Sequence, residues 1–377
     1  MGKKKDSLEL YFHIPFCIKK CDYCDFLSGP ATRAGQEAYI YALLREMKAA
    51  SAIEKRTVDT VFIGGGTPSV PECGIMEKLL QGIGKNFQLA ADAEVTIEAN
   101  PGTLTPEKLA LYRRYGINRI SIGLQSPENQ ELCALGRIHN YQQFLESYHM
   151  AREAGFSNIN IDLMFAIPGQ SYEGWIQNLR TVAKLGPEHI SAYSLIIEEG
   201  TPFSARKLDL PDEDTEYRMY EDVAAVLGKY GYYQYEISNY AKKDRNCRHN
   251  EGYWQRKDYL GLGLGAASLV GRERFTNTSD MSEYLENSGN LEKIRTDRET
   301  LTREDEMGEF MFLGLRMTKG VSKKDFQEYF GTSIEKIYGE VLEKYKKQGL
   351  LLEEDGRVCL SRAGIHVSNA VMADFLL

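Results

Sequence analysis

Short apolar runs alternate with amphipathic stretches over the first part of the chain. Each run is apolar on both faces, which is typical of a strand buried in a parallel sheet. Apolar residues recur at helical spacing between the runs, and several of these stretches end at a glycine, as at Tyr115-Gly116-Ile117. The alternation predicts a parallel sheet covered by helices. The predicted strands are 8–14, 58–63, 94–99, 119–124, 158–165 and 189–196, and the predicted helices are 35–51, 72–85, 106–115, 141–154, 175–185 and 214–230.

Polar and glycine-rich segments follow the predicted strands. The carboxyl ends of the strands are where a (β/α) barrel places its chemistry, so this arrangement favours a barrel over an open sheet. We therefore predict an α/β fold built on a partial, TIM-like (β/α)6 barrel. The segments after the strands include Gly64-Gly65-Gly66-Thr67-Pro68, Glu98-Ala99-Asn100-Pro101-Gly102, Gln125-Ser126 and Ile167-Pro168-Gly169-Gln170.

The C-terminal part of the chain is richer in charged helical segments. Helices are predicted at 304–317, 322–330 and 334–347, followed by a short hairpin that turns at Glu354-Asp355-Gly356. Three helices and a hairpin indicate a winged-helix-like α+β module, and its many acidic residues favour a lid or interaction role over DNA binding. The expected domains are 1–240 for the barrel, 241–290 for a connecting segment and 291–377 for the C-terminal module.

Composition excludes several functional classes. The 377 residues are 42% hydrophobic and carry a formal net charge of −8, which argues against a nucleic-acid surface. The basic start Met1–Lys5 is interrupted by Asp6 and Glu9 and has no long apolar stretch after it, unlike a signal peptide. The apolar run 260–271 is too short to span a bilayer. An odd number of cysteines, seven, makes a secreted disulfide framework improbable, so we expect a cytoplasmic protein.

Three cysteines, Cys17, Cys21 and Cys24, lie in one loop directly after the first predicted strand. Structural zinc sites and fully ligated iron–sulfur clusters take four protein ligands. Three thiolates would leave one iron of a 4Fe–4S cluster open to an outside ligand. The alternatives are a zinc site completed by His13 or by a distant fourth ligand, and three unrelated buried thiols.

The cysteine spacing resembles that of the radical S-adenosylmethionine (SAM) enzymes. The resemblance implies a 4Fe–4S cluster whose open iron binds the amino and carboxylate groups of SAM, and one-electron cleavage of the sulfonium to a 5′-deoxyadenosyl radical. It also implies that Gly64-Gly65-Gly66-Thr67-Pro68 binds the methionine amino group and that Tyr23 contacts the adenine. Taken alone, the glycines would equally suit a tight turn, and Tyr23 would more often be a packing residue.

Further motifs narrow the likeness to one branch of that superfamily. In order along the chain, five segments resemble oxygen-independent coproporphyrinogen III oxidase and its relatives. They are Tyr11-Phe12-His13-Ile14-Pro15-Phe16-Cys17, the triple-glycine segment, Glu98, Gly123-Leu124-Gln125-Ser126 and Ile161-Asp162-Leu163.

This resemblance assigns contacts for two SAM molecules. From the residues alone, Glu98 and Asp162 end strands and would face an ammonium or a ribose hydroxyl, unless they cap helices or form surface ion pairs. The cluster-bound molecule would contact Tyr11, Gly65 and Glu98, and a second molecule would contact Tyr23, Gly66, Thr67, Gln125, Arg137, Asp162 and Ile196.

The chain also departs from the oxidase. The oxidase has a further cysteine two residues after its third, and Phe26 occupies that position here. The chain begins only ten residues before Tyr11, without the longer extension of the oxidase. Both differences argue against coproporphyrinogen oxidase activity.

A second motif, Cys247-Arg248-His249-Asn250-Glu251-Gly252-Tyr253-Trp254, points to another activity. Its His-Asn-x-x-Tyr-Trp pattern resembles the HemW-type heme chaperones. That resemblance implies that His249 ligates heme iron, with Cys247 as a second possible ligand and with Tyr253 and Trp254 against the porphyrin. The alternative is a loop whose aromatic residues cover the barrel edge, with His249 only hydrogen bonded.

The motifs together lead us to expect a heme chaperone that carries a SAM-coordinated 4Fe–4S cluster and transfers heme to acceptor proteins. The alternatives are a coproporphyrinogen oxidase-like radical SAM decarboxylase, a heme-modifying radical SAM methyltransferase and a structural zinc protein. Whether the chain catalyses a reaction stays open, and no catalytic residue is assigned. The expected partners are heme, an unidentified heme acceptor and an electron donor such as flavodoxin or ferredoxin, with membrane contact only through the acceptor.

Overall fold

A twelve-stranded sheet forms the framework of the computed structural model, which describes residues 7–376; the basic start Met1–Lys5 lies outside the described residues. A second sheet of three strands lies in the C-terminal part. The strands are β1 Ser7–Ile14, β2 Thr57–Gly65, β3 Leu89–Ala99, β4 Arg119–Gln125, β5 Ile159–Phe165, β6 His189–Ser194, β7 Tyr233–Gln234, β8 Asn239–Ala241, β9 Tyr259–Leu262, β10 Ala267–Val270, β11 Glu273–Asn277, β12 Arg295–Thr300, β13 Val321–Ser322, β14 Leu351–Glu354 and β15 Arg357–Leu360.

Helices cover this sheet and build the C-terminal part. No helix within residues 7–376 combines the length and apolar character needed to cross a membrane. The helices are α1 Arg33–Ile53, α2 Cys73–Asn86, α3 Pro106–Arg114, α4 Asn129–Ala134, α5 Tyr141–Glu153, α6 Tyr172–Leu185, α7 Glu213–Gly228, α8 Arg248–Trp254, α9 Met281–Asn287, α10 Leu291–Ile294, α11 Arg303–Leu315, α12 Lys323–Phe330, α13 Ile334–Lys347, α14 Arg362–His366 and α15 Ser368–Ala373.

Strands β1 to β6 lie side by side in chain order, and each adjacent pair is parallel. One or two helices connect each strand to the next, as the right-handed β-α-β crossover requires. This arrangement confirms the predicted partial (β/α)6 barrel. The strand ends agree with the predicted ranges to within a few residues, apart from the longer start of β3.

The two faces of each barrel strand differ in chemistry. On β1, Leu8, Leu10 and Phe12 are buried in the main apolar core, whereas Glu9 and Tyr11 alternate with them on the other face. Because successive side chains of a strand point to opposite faces, the apolar set packs under the helices and the polar set lines the barrel interior. The interior is therefore unusually polar, and this polarity supplies the site described below.

Local capping signals set several helix boundaries. Thr32 and Thr105 accept backbone N–H groups at the starts of α1 and α3, and Asn140 forms a complete capping box at the start of α5. Helix α6 ends at Gly186, which takes the left-handed conformation with φ 73°. These polar caps explain why the sequence pattern located the helices well.

The segment 241–290, which we expected to connect two domains, supplies strands to the large sheet. Strand β9 pairs in parallel with β1, and β10 and β11 follow it in antiparallel order. The short strands β7 and β8 extend the other edge next to β6. Strands of two to five residues leave too short an apolar period to be predicted from sequence.

A second apolar core lies in the C-terminal part. It is built from α11, α12 and α13 together with the three-stranded sheet β13-β15-β14 and the last helix. The three predicted helices agree with the observed ones to within two residues. The likeness of this part to a winged helix stays a prediction.

Candidate cofactor-binding site

The three-cysteine loop follows β1 at the carboxyl end of the barrel strands. Cys17, Cys21 and Cys24 are partly exposed and free of disulfide bonds. The loop closes on itself, because the N–H of Cys17 donates to the Gly29 carbonyl at 3.0 Å and the N–H of Gly29 donates to the Pro15 carbonyl at 3.0 Å. Backbone hydrogen bonds thus fix the conformation of the loop, which carries three thiols near the barrel mouth.

A chain of polar contacts joins two of these thiols through the neighbouring strand ends. Arg137 donates from Nη1 to Cys21 Sγ at 3.5 Å and from Nη2 to Asn100 Oδ1 at 2.6 Å. Asn100 Nδ2 in turn donates to Thr67 Oγ1 at 2.7 Å, and this hydroxyl lies 3.6 Å from Cys17 Sγ. Loops that are far apart in sequence therefore meet around the cysteine loop.

The thiols do not converge on one point. Within residues 7–376, no group of three or more His, Cys, Asp or Glu side chains has the geometry of a single-ion site. A cubane cluster differs from a single-ion site, because each thiolate binds a different iron.

His13 links the cysteine loop to the barrel. Its Nε2 donates to the Leu27 carbonyl at 2.9 Å, and because that carbonyl can only accept, Nδ1 must accept the Tyr11 hydroxyl at 3.0 Å. A Cβ at Gly65 would lie 2.6 Å from the His13 ring, so only glycine lets β2 approach it. His13 thus acts as a hydrogen-bonded core residue that leaves no nitrogen free for a metal.

The glycines after β2 bring the backbone close to the cysteine loop. Gly65 has φ 109°, a left-handed value that favours glycine, and its N–H donates to Glu98 Oε2 at 3.1 Å. A Cβ at Gly66 would lie 2.8 Å from the Phe16 carbonyl oxygen. The N–H of Thr67 donates to the same carbonyl at 2.7 Å. The triple-glycine segment therefore allows the backbone after β2 to approach the cysteine loop closely, which is a role beyond that of a tight turn.

Two carboxylates face the barrel interior: Glu98 is the second-last residue of β3, as predicted, whereas Asp162 lies in the middle of β5 and not at its end. Burial, together with the smaller effect of the nearby charge of Asp162, raises the pKa of Glu98 to about 8. Burial also raises the pKa of Asp162, against the lowering effect of hydrogen bonds from Ser191, Asn160 and Ser121. These carboxylates form hydrogen bonds inside the barrel, so neither caps a helix nor pairs at the surface.

The other predicted SAM contacts divide into two groups. Gln125 is buried with a strained φ of 71° and accepts the Tyr193 hydroxyl at 2.7 Å, and Tyr23 lies 3.5 Å from Arg137 Nη1. Ile196 is different, since it is 68% exposed and lies on the loop after β6. The structure therefore brings together most of the predicted set and leaves Ile196 at the rim.

Sequence reasoning missed several residues of this site. Asn100 bridges Arg137 and Thr67, and Tyr193 holds Gln125. The signal for Asn100 was present, because it is a polar residue directly after a predicted strand. Tyr193 alternates with apolar residues inside β6, and only the register with β5 shows that it faces the interior.

His249 lies in a separate, buried place. It contacts residues near the amino-terminal ends of the barrel strands, at the end opposite to the cysteine loop. It is 1% exposed, its Nδ1 lies 2.7 Å from Thr60 Oγ1 and its Nε2 lies 2.9 Å from the Tyr253 hydroxyl. Its ring also stacks on Phe62 with centroids 5.2 Å apart. Burial, together with the smaller effects of the charges of Arg119 and Lys257, lowers the pKa of His249 to about 3. Both ring nitrogens are thus occupied, and heme ligation by His249 stays a prediction that requires one of these bonds to break.

The rest of the His-Asn-x-x-Tyr-Trp motif also packs inside the protein. Tyr253 contacts His249 and Tyr259 edge to face, and the Arg316 guanidinium lies 4.3 Å from the centroid of the Trp254 ring. The buried Cys247 thiol faces Glu94 Oε1 at 3.6 Å. In this conformation the motif joins the barrel to the C-terminal part, and the side chains of Tyr253 and Trp254 are half-buried between protein neighbours.

Comparisons with known families agree with this architecture. A family model described as the radical SAM superfamily matches residues 11–182, and one described as the HemN C-terminal domain matches residues 301–367. The solved structure of coproporphyrinogen III oxidase (HemN) from Escherichia coli, a radical SAM enzyme, superposes with a TM-score of 0.88. It shares 23% identity and covers 99% of this chain and 90% of that chain, so this likeness concerns the fold.

Curated relatives define the branch. The heme chaperone HemW of Lactococcus lactis subsp. lactis (strain IL1403) is 38% identical and covers 97% of both chains. The heme chaperone HemW of Bacillus subtilis (strain 168) is 37% identical over 97% of this chain and 98% of its own. That of Escherichia coli (strain K12) is 38% identical over 93% of each. By fold, motif order and near full-length similarity, the chain belongs to the HemW family of heme chaperones, within the radical SAM superfamily.

Proposed function

We propose that this protein binds heme and hands it to acceptor proteins, and that it carries a 4Fe–4S cluster with SAM at the barrel mouth. The observation that supports the cofactor part is the polar chain from Cys21 through Arg137, Asn100 and Thr67 to Cys17. Such a chain positions a thiol loop against strand ends that offer N–H, carboxylate and guanidinium groups. The heme part is supported by the name that the relatives carry.

The cysteines would hold the cluster. Cys17, Cys21 and Cys24 are free, partly exposed and spread over one loop, which suits three different irons of a cubane. When bound, the cluster supplies one electron at a time and an open iron for the amino and carboxylate groups of SAM. The Arg137 guanidinium beside Cys21 is a permanent donor that would stabilise a ligating thiolate.

The interior residues would orient SAM. In this proposal Tyr11, Gly65 and Glu98 contact the cluster-bound molecule, and the Glu98 carboxylate already accepts the Gly65 N–H. Asp162 accepts from Ser121 and Asn160, which keeps its carboxylate in place for a ribose hydroxyl or an ammonium group. A second SAM molecule would use Tyr23, Gly66, Thr67, Gln125, Arg137, Asp162 and Ile196.

The parts of the chain would then have different tasks. We assign the cofactors to the barrel region 1–240, the closure of the barrel to the segment 241–290 and a lid or interaction role to 291–377. We place the protein in the cytoplasm, where thiols stay reduced and an electron donor such as flavodoxin or ferredoxin is at hand. The acceptor protein is identified only by its need for heme.

Anaerobic reconstitution with iron and sulfide, followed by heme titration and transfer to an apo-hemoprotein, tests the proposal. We expect about four irons and four sulfides per chain, as one 4Fe–4S cluster requires, and stoichiometric heme uptake. Heme should then appear in the apo-hemoprotein without chemical change, as judged by its optical spectrum and mass. A protein that takes up a cluster but no heme would contradict the chaperone role.

The same preparation separates the chaperone from an oxidase. Coproporphyrinogen III is added anaerobically with SAM and a reductant, and the product is followed by fluorescence after oxidation. We expect no protoporphyrinogen, since Phe26 stands where the oxidase has its further cysteine. Catalytic formation of protoporphyrinogen would instead support the decarboxylase alternative and overturn the proposal.

A further inference from the structure

Six large apolar side chains are exposed around the cysteine loop. Ile18 is 57%, Phe26 60%, Ile138 54% and Ile196 68% exposed, values that are high for residues of this type. Leu27 and Ile197 lie next to Phe26 and Ile196 and are also exposed. Exposed apolar groups that gather in one place mark binding surfaces, whereas scattered ones need no explanation. We call Ile18, Phe26, Leu27, Ile138, Ile196 and Ile197 the apolar rim.

The rim comes from three loops that meet. Ile18 and Ile138 line one recess together with Cys21 and Thr67. The N–H of Phe26 donates to the Cys24 sulfur, which places Phe26 beside the third cysteine. Beneath the rim, Tyr23 of the cysteine loop packs on a small apolar cluster that holds the loops together, namely Leu135, Met164, Ile167, Leu195 and Phe203.

The loop after β6 is also tied directly to the cysteine loop. The N–H of Phe203 donates to the Asp22 carbonyl at 3.1 Å, and Arg206 Nη1 forms a salt bridge with Asp22 Oδ2 at 2.6 Å. Leu195, which directly precedes Ile196, packs in the same small apolar cluster as Tyr23 of the cysteine loop. The rim residues therefore lie on segments that border the cysteine loop.

Two lysines add positive charge to this surface. Lys19 and Lys20 are exposed at the tip of the cysteine loop, and neither forms a salt bridge within residues 7–376. Lys19 also lines the recess between Ile18 and Ile138, whereas the exposed acids of these loops, Asp25, Glu198 and Glu199, lie next to Phe26 and Ile197. A ligand with a flat apolar body and one carboxylate-bearing edge matches this combination.

We propose that heme binds on the apolar rim, with its macrocycle on Phe26, Ile18 and Ile138 and its propionates toward Lys19 and Lys20. This inference rests on the proposed function and names the place where the heme is held. His249 is the competing location, but it is sealed inside the barrel with both nitrogens bonded. No ligand to iron is assigned on the rim, so binding there depends on the macrocycle and its carboxylates.

This location suits transfer. A heme on the barrel mouth exposes one face to an approaching acceptor, whereas a heme on His249 would leave only after α8 moves. Binding by apolar contact and exposed ion pairs is also reversible, because no iron ligand must be broken.

Titration of the reconstituted protein with heme and, separately, with iron-free protoporphyrin tests the location. We expect the dissociation constants of the two ligands to agree within about threefold, because the rim contacts the macrocycle and its propionates rather than the iron. Phe26→Asp should weaken both at least tenfold, as should the double variant Lys19→Glu/Lys20→Glu. Tyr41→Asp, at an aromatic position on α1 that is 49% exposed, is the matched control and should bind like the unaltered protein.

Tyr253→Phe supplies the opposite test, because it frees Nε2 of His249 without changing the size of the side chain. Ligation by His249 would make this variant bind heme more tightly and leave protoporphyrin binding weak, and that result would overturn the rim proposal. Rim variants that bind both porphyrins like the unaltered protein would also overturn the rim proposal. The apolar rim would then be a contact surface for a protein partner. If the unaltered protein binds no heme, that result contradicts the proposed function itself and not only the location of the heme.

Discussion

The barrel mouth and helix α8 are both rich in residues that can bind a cofactor, yet they differ in exposure and in the bonding of their polar atoms. At the mouth, three free thiols and Arg137 lie partly exposed beside two carboxylates. At α8, His249 and Cys247 are buried and their polar atoms face partners inside the protein. One region leaves ligand atoms available and the other uses them to hold the fold together.

This difference teaches how a family motif should be interpreted. A histidine next to tyrosine and tryptophan resembles a heme site in sequence, but residue type says nothing about which atoms are already bonded. A buried group that loses its partner costs more free energy than an exposed one, so a satisfied buried histidine is a structural element first. The four predictions below run from the largest expected effect to the smallest.

Replacement of a cluster cysteine should have the largest effect. Cys21→Ala removes one of the three proposed ligands, and we expect loss of most bound iron and sulfide after anaerobic reconstitution, because two thiolates cannot hold a cubane. Iron and sulfide analysis with optical spectroscopy measures this effect. Cys133→Ala, an exposed thiol on α4, is the matched control and should keep the full iron content. Equal iron content in both variants would show that the cysteine loop does not hold the cluster.

Replacement of His249 should mainly weaken the fold. His249→Ala leaves Thr60 and Tyr253 without their partner and opens a cavity against Phe62, so we expect the free energy of unfolding to fall by about 3 kcal/mol. Urea denaturation measures this change. His149→Ala, at an exposed position on α5, should change stability by less than about 0.5 kcal/mol. Unchanged stability together with lost heme binding in His249→Ala would instead support ligation.

A second buried polar centre, around Glu46 on α1, extends the comparison. Its carboxylate accepts from the Gly263 N–H at 2.9 Å, from Asn277 Nδ2 at 2.7 Å and from the Tyr284 hydroxyl at 2.5 Å, and Arg295 is the nearby positive charge. Despite these bonds, burial raises the pKa of Glu46 from 4.5 to about 7. The centre holds the segment after β9 against α1.

Because the pKa of Glu46 is higher in the folded protein than in the unfolded chain, the folded state binds more protons between these values. Its contribution to the free energy of unfolding should therefore fall as the pH rises from about 4.5 to about 7, by about 3 kcal/mol in total. Urea denaturation across this range should show a smaller fall in Glu46→Gln than in the unaltered protein. Glu286→Gln, at an exposed position, should leave the slope as it is. Equal slopes in all three proteins would show that Glu46 titrates normally.

Removal of one hydroxyl should have the smallest effect. Tyr253→Phe deletes the partner of His249 Nε2 and keeps the ring contact with Tyr259, so we expect a loss of about 1 kcal/mol in the free energy of unfolding. A thermal melt of both proteins measures this change. A gain in stability would mean that the buried hydroxyl is poorly matched, and the region around α8 would then be less rigid than its contacts indicate.

The sequence was sufficient for the barrel because the signals for it are local. Alternating apolar runs and capped helices predicted all six parallel strands and the six helices between and after them. The glycines after β2 were also interpretable from the chain, since three in a row after a strand favour close backbone approach. Short helix α4 and the short strands from β7 to β12 were missed, since their pairing depends on partners elsewhere in the chain.

The amino-acid order already contained the cluster loop and the family, because spacing and motif order are properties of the chain alone. It did not contain the bonding of His249, the bridge made by Asn100 or the exposure of Ile18, Phe26, Ile138 and Ile196. These depend on which loops meet in space and on which polar atoms find a partner when they are buried. Burial and pairing arise from packing between distant segments, so only the folded structure distinguishes the exposed thiol loop from the occupied histidine.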